Sequence, residues 1–355
     1  MNGRPITDDV ARSNRLYLVM TDAFETPLRP GGPSTASGES MEALGVELEA
    51  LRRELLVHCY RMTGSVTDAE ELVQDSFVRA LQHRDRFEKR ASTRTWLYRI
   101  ATNACLDFLE HSARRSRPVG LGAELVDLPW LQPLPTAAQE TAAEQRGDPE
   151  TAVISRETIE LALLAAMQIL PPRQRAVFIA RELVGLTPTE TSQLLDTTVE
   201  ATNSLVQRAR RTMRSTYAPT TPAPGSVERS VVDRYIAAHE TGDFDAMVSL
   251  LHREVTLTMP PEAPCVGLDE ASELFRGLFG ADGPGDWRMV RIQANAQPAT
   301  ANYHRARGHP DYVATSIDVL RLDGEEVVAI NSFLDARLFE RFGLPDIHPS
   351  DRSET

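Results

Sequence analysis

From Glu42 to about Arg117 apolar residues recur at spacings of three and four, the period of helices that bury one face. Ala69, Leu72, Val73, Phe77, Ala80 and Leu81 make one stripe, and Asp68, Glu71, Gln74, Asp75 and Arg79 lie opposite. Thr67 followed by Glu70 reads as the capping box that opens this helix. A second helix is expected from near Ser92, with Trp96, Leu97, Ile100, Ala101, Ala104, Cys105 and Phe108 inward and Arg94, Arg99, Asn103 and Asp107 outward. A second helical block spans about Glu150 to Tyr217. There Leu170-Pro171-Pro172 opens a helix with proline where a first turn accepts it. Helices over about Leu186–Leu195 and Val199–Arg211, joined by Asp196-Thr197-Thr198, have the layout of a helix-turn-helix.

The breaks divide the chain. Residues 1–42 are rich in Gly, Pro, Ser and Thr without sustained period and read as a disordered tail. Residues 43–117 form the first helical domain, 118–149 an extended linker, 150–217 the second helical domain and 218–225 a Pro-rich spacer. Residues 226–344 combine helices with β-prone runs (Tyr312 to Leu322, Glu326 to Phe333), and 345–355 read as a tail. The expected fold class is therefore multi-domain, two all-α domains followed by an α+β domain.

Composition changes the picture in three ways. No stretch approaches the roughly 18 apolar residues of a membrane span, and the short run Leu16 to Met20 lacks the features of a secretory signal. A cytoplasmic protein with no membrane partner is expected. Cys59, Cys105 and Cys265 are far apart and odd in number, which suggests buried thiols and neither a disulfide framework nor a metal site. The net charge of −13 is unusual for a DNA-binding chain until it is divided. Residues 226–355 hold 12 Arg or Lys and 22 Asp or Glu, a balance of −10, leaving −3 for the rest. By contrast His83 to Arg117 carries nine bases against four acids, and Arg173 to Arg214 seven against four. These are the candidate nucleic-acid footprints.

The segments Asp68-Ala-Glu-Glu-Leu-Val-Gln-Asp-Ser-Phe-Val-Arg-Ala-Leu81 and Thr95-Trp-Leu-Tyr-Arg-Ile-Ala-Thr-Asn-Ala-Cys-Leu-Asp107 resemble regions 2.2 and 2.3 to 2.4 of extracytoplasmic-function sigma factors. The helix-turn-helix resembles region 4.2 of the same family, in the same order along the chain. The resemblance implies partnership with core RNA polymerase (β′ and β subunits) and promoter DNA. It implies docking on the β′ coiled coil through Asp68, Glu71, Gln74 and Asp75. It also implies opening of the −10 element by Lys89, Arg94, Trp96, Arg99 and Asn103, where unstacked bases are captured and cations neutralise phosphates. For Trp96 a core anchor is the competing reading. On the proposed recognition helix Ala201, Leu205, Val206 and Ala209 are available for packing. Glu200, Asn203, Ser204 and Gln207 would reach base edges of the −35 element, and Arg208, Arg210 and Arg211 phosphates. The family often has glycine in the turn and more bases early in this helix, where this chain has Asp196, Asn203 and Leu205. Its −35 sequence therefore does not follow by analogy.

Residues Ser226 to Leu344 begin with a helix carrying Val231, Val232, Tyr235, Ile236 and Ala237, then the turn Thr241-Gly242-Asp243-Phe244 and a second helix. With Val255 to Glu262 and the closing strands they resemble a SnoaL-like, or NTF2-like, α+β cone, which implies an apolar pocket able to take a small-molecule ligand. An enzyme is the rival reading, with His239, His252, Glu262, His304 and Asp311 as candidates, but their spacing fixes no geometry. The reading adopted is an initiation factor with no catalytic residue, cofactor or metal, whose acidic C-terminal domain modulates the rest. A polymerase-independent helix-turn-helix regulator and a pocket enzyme fused to a DNA-binding segment are the alternatives.

Overall fold

The structure, a computed structural model, describes residues 35–84, 92–111, 128, 130–136, 160–217, 225–280 and 283–348. Two compact units divide the chain, Met1–Glu47 and Leu48–Thr355. The first is described only from residue 35, as the start of helix α1 (Thr35–Thr63), so helix occupies part of the expected tail. Every contact that follows, those of α1 from Leu48 onward included, lies within the second unit.

The first helical module joins α1 to α2 (Val66–Gln82) and α3 (Thr93–His111). Gly64, at φ 75°, ends α1 in a conformation that suits glycine. Ser65 is then extended, and its hydroxyl accepts from the Asp68 N–H at 3.2 Å. The N-cap is thus Ser65, two residues before the expected Thr67, whose hydroxyl instead meets Gln132 at 3.2 Å. Ser92 caps α3 by accepting from the Thr95 N–H. Inside the module His58 and Thr102 share a 2.9 Å hydrogen bond, and Arg52 lies over the Phe77 ring. The thiols of Cys59 and Cys105 are buried, whereas Cys265 is only half-buried.

The second module contains α4 (Leu161–Ile169), α5 (Pro172–Phe178, proline at its start), a π turn (Ile179–Leu183), α6 (Pro188–Leu194) and α7 (Val199–Thr216). Thr187 and Glu190 form a full capping box on α6, and Thr198 caps α7. Asp196 in the turn has φ 49°. This is the left-handed conformation that glycine would take, and Asp is among the few other residues that tolerate it.

The third module packs α8 (Gly225–Thr241), α9 (Phe244–Leu250) and α10 (Leu268–Phe279) on a mixed sheet. Its strands are β1 (Leu251–Thr258), β2 (Cys265–Val266), β3 (Gly285–Ala294), β4 (Gln297–Ala306), β5 (Tyr312–Asp323), β6 (Glu326–Phe333) and β7 (Ile347–His348). They run in the order β2-β1-β6-β5-β4-β3, with β7 on β5 and the short helix α11 (Leu338–Arg341) before it. Among the described strands only β1 and β6 run parallel. Residues 347–348, expected to belong to a tail, are therefore a paired strand. One face carries the core of Val231, Tyr235, Met247, Val255, Phe275 and Leu320. On the other face Ala299, Ala301, Ile317 and Val319 are also fully buried.

Part of the expected linker is ordered, with Leu128, Leu131 and Leu134 buried. Pro135 bridges to Ala294 at the β3–β4 turn, where Asn295 and Ala296 both have positive φ, the geometry of a two-residue hairpin turn. Asn295 accepts from the Leu134 N–H at 2.8 Å and donates to the Tyr60 hydroxyl at 2.9 Å, and that hydroxyl donates to the Gln132 carbonyl at 2.7 Å. Gln297 accepts from the Leu161 N–H, and Arg321 pairs with Glu160. The hairpin thus ties α1, the linker and α4 to one point on the cone.

Candidate nucleic-acid and polymerase interfaces

Helix α2 buries Ala69, Leu72, Val73, Phe77 and Ala80 as its stripe predicts. Of the four proposed polymerase contacts Glu71 is exposed, and Asp68, Gln74 and Asp75 are half-buried on that outer face. Asp75 pairs with Arg79 at 2.8 Å. The start of this helix has a neighbour that the sequence does not suggest. Arg341 of α11 pairs with Glu70 at 2.6 Å and donates to the Thr67 hydroxyl at 3.1 Å. Both charges are partly exposed, so the pair is worth ~1 kcal/mol at most.

On α3, Leu97, Tyr98, Ala101, Ala104 and Cys105 face inward, while Arg99 and Asn103 are exposed. Trp96 is half-buried, between the two readings of it. Arg94 is exposed but engaged, because its guanidinium pairs with Glu54 and stacks on Tyr98. Glu54 also accepts from the Tyr98 hydroxyl at 2.9 Å. Burial and the Glu54 charge raise the Tyr98 hydroxyl pKa. Lys89 lies outside the described residues.

On α7, Thr202, Val206, Ala209 and Met213 face the core, and Leu205, expected to pack, is half-buried. Glu200, Asn203, Ser204, Gln207, Arg208, Arg210 and Arg211 are all exposed. Gln207, Arg210, Arg211 and Arg214 line one open groove, a cationic surface suited to phosphates. Arg210 pairs with Glu182 at 2.8 Å. The two modules touch directly, since α3 packs against α5 and α6. Arg175, missed at the sequence level except as part of a charge count, lies at this junction. Buried, it donates to carbonyls of Met62, Gln168 and Leu170 and to the Gln168 side chain.

The proposed enzyme residues do not gather into one site, although His239 and His304 both lie against Trp287. His252 lies near Glu326, Glu262 is exposed in a turn, Asp311 is half-buried before β5, and His304 stacks on Trp287. His239 is buried among Tyr235, Phe275, Phe279 and Trp287. Burial lowers its pKa to about 3. Among the described residues no group of three or more His, Cys, Asp or Glu could hold a metal, and no helix is long and apolar enough to cross a membrane.

Two helical modules, the second a helix-turn-helix with a basic outer face, followed by an α+β cone, define a modular transcription protein. Comparison with known proteins narrows the class. Residues 48–115 match sigma-70 region 2, 160–213 sigma-70 region 4, and 232–330 the SnoaL-like domain. The chain is 42% identical over 313 residues to the ECF RNA polymerase sigma factor SigG of Mycobacterium tuberculosis, covering 84% of this chain and 83% of that one. It is 32% identical over 247 residues to SigJ of the same organism, covering 67% and 74%. The crystal structure of SigJ aligns with 84% of this chain and 99% of that one, with a TM-score of 0.57 at 25% identity. The chain belongs to the extracytoplasmic-function RNA polymerase sigma factors, and it is an alternative sigma factor.

Proposed function

We propose that this sigma factor docks on core polymerase through Asp68, Glu71, Gln74 and Asp75 of α2 and contacts the −10 element through Lys89, Arg94, Trp96, Arg99 and Asn103. The −35 element meets α7, with Glu200, Asn203, Ser204 and Gln207 at base edges and Arg208, Arg210 and Arg211 on phosphates. It acts in the cytoplasm and carries out no reaction of its own. The C-terminal domain holds the two DNA-reading modules in a resting arrangement that has to open at a promoter. The observation that carries this is the direct packing of α3 on α6. Elements named −10 and −35 lie about 25 base pairs apart, roughly 85 Å at ~3.4 Å per pair along the duplex. Helices in contact do not span that distance. The Arg341–Glu70 pair adds that α11 sits at the start of the polymerase-docking helix while the modules are closed.

Two sets of variants test the interfaces. Reversing charge at Glu71 and Asp75 together is expected to weaken binding to core polymerase at least tenfold in a pull-down titration, and unchanged affinity removes that face. Arg208→Ala and Arg211→Ala are expected to weaken DNA binding across all sequences and flatten its salt dependence. Asn203→Ala or Gln207→Ala instead shifts base preference by ~1–3 kcal/mol at one position. Sequence-selective loss in the arginine variants, read by binding-site selection, contradicts the assignment.

A further inference from the structure

Helix α1 places one carboxylate, Glu54, against the start of α3. Three donors converge on its Oε1: Arg94 Nε at 2.6 Å, Arg94 Nη2, and the Tyr98 hydroxyl at 2.9 Å. The Arg94 guanidinium also lies over the Tyr98 ring, 5.0 Å from its centre. The Glu54 side chain is 27% exposed and that of Arg94 44%, so solvent screens the pair only in part. A second carboxylate acts on Arg94 from further off, Glu190 at the start of α6. It is already taken by the Thr187 N–H and hydroxyl, at 2.8 and 2.7 Å, which leaves Glu54 as the anion that holds the guanidinium.

A guanidinium grips a carboxylate and a phosphate with the same kind of paired N–H edge. Arg94 turns that edge to Glu54, and a cation already neutralised gains little from an approaching phosphate until its carboxylate lets go. Letting go strands no buried charge. Glu54 keeps the Tyr98 hydroxyl, is partly open to water, and lies within the field of the buried Arg61. We propose that Glu54 is an internal stand-in for a DNA phosphate, which holds Arg94 in the resting protein and yields it to the backbone of the single-stranded −10 element. This rests on the assignment of Arg94 to that element. Each −10 contact through Arg94 then starts with the loss of an internal ion pair, so the base contacts of the site have to contribute before it forms.

The test is a double-mutant cycle on holoenzyme rebuilt from core polymerase and the full chain. The probe is a fork-junction DNA whose −10 non-template strand is single-stranded, taken from a promoter that this holoenzyme transcribes, and its affinity is measured across a KCl series. Glu54→Gln is expected to raise affinity about fivefold, the upper range for a partly exposed ion pair. Glu110→Gln, which deletes an exposed charge elsewhere on α3, reports the gain from charge alone and should reach less than a third of that. Arg94→Gln should lower affinity and reduce the salt slope by about 0.7, the share of one single-strand phosphate. In the Arg94→Gln background Glu54→Gln should gain no more than the Glu110 control. Glu54→Asp keeps the charge beside Arg61 but draws the carboxylate back by one methylene. It should gain about twofold, and it carries the test if the Gln variant unfolds. Equal gains from Glu54→Gln and Glu110→Gln, or a surplus that survives in the Arg94→Gln background, overturn the role of Glu54 while Arg94 stays on DNA. Unchanged affinity and salt slope in Arg94→Gln alone remove Arg94 from the −10 element, and the proposal with it.

Discussion

Replacing Asn295 with glycine will loosen the hold of the C-terminal domain on the sigma modules and raise affinity for promoter DNA about tenfold or more. Asn295 is fully buried at a tight turn with φ 55°. Glycine keeps that backbone conformation at no steric cost, so the variant removes only the side chain. The hydrogen bonds to the Leu134 N–H and the Tyr60 hydroxyl go with it. Leaving buried partners unmet costs roughly 1–3 kcal/mol each. If closure and promoter binding compete, weakening closure by 1.4 kcal/mol yields about a tenfold gain in apparent affinity. Ala296→Gly, at the neighbouring turn position with φ 54°, is the control and should leave affinity unchanged while slightly stabilising the turn. Fluorescence anisotropy on a −35 duplex measures the effect, and protease cleavage between residues 118 and 149 should accelerate in parallel. Wild-type affinity and wild-type cleavage in Asn295→Gly would remove the hairpin from the mechanism.

Acidification from pH 7.5 to 5.5 will destabilise the protein by roughly 3 kcal/mol through two histidines. His58 and His239 lie in different modules, and burial lowers both pKa values to about 3, with Arg61 and Arg94 adding to the effect at His58. A lowered folded-state value means that the unfolded chain takes up the proton first. The stabilising contribution is complete above the unfolded pKa of about 6.5, declines as pH falls below it, and is gone near pH 3. Asp318 works in the opposite sense. Burial raises its pKa, although Ser332, Asn302, Tyr235 and Ser316 all hydrogen-bond to it. Its contribution is complete below the ordinary carboxylate value and is lost as pH rises through the raised one. Denaturant titrations at both pH values in an Asp318→Asn background isolate the histidines. His58→Gln and His239→Phe should each remove about half of the remaining slope, and a stability independent of pH in that background contradicts the assignment.

The helices of both sigma modules were legible because their periodicity is strong and local. The α2 stripe and the exposed row of α7 follow directly from it. The true cap of α2 was less so, since Ser65 and Thr67 both carry hydroxyls and only the break at Gly64 decides between them. Strands β3 and β4 were not singled out, because Arg288, Arg291 and the run of alanines and threonines in β4 give little β-prone contrast. Leu128, Leu131 and Leu134 sit among prolines and read as linker, yet their three-residue spacing was the available sign that one side is buried. The ties of Arg94 to Glu54, Arg341 to Glu70 and Asn295 to Tyr60 join residues 40, 271 and 235 positions apart. No local pattern announces such pairs.

The most direct test is run-off transcription on a promoter library with purified core polymerase, with and without the full chain. Discrete start sites that appear only when the protein is added, and that disappear with the Glu71 and Asp75 charge reversal, are the predicted result. Sequence-specific DNA binding by the protein alone, with no new start sites in the presence of core polymerase, would contradict the account.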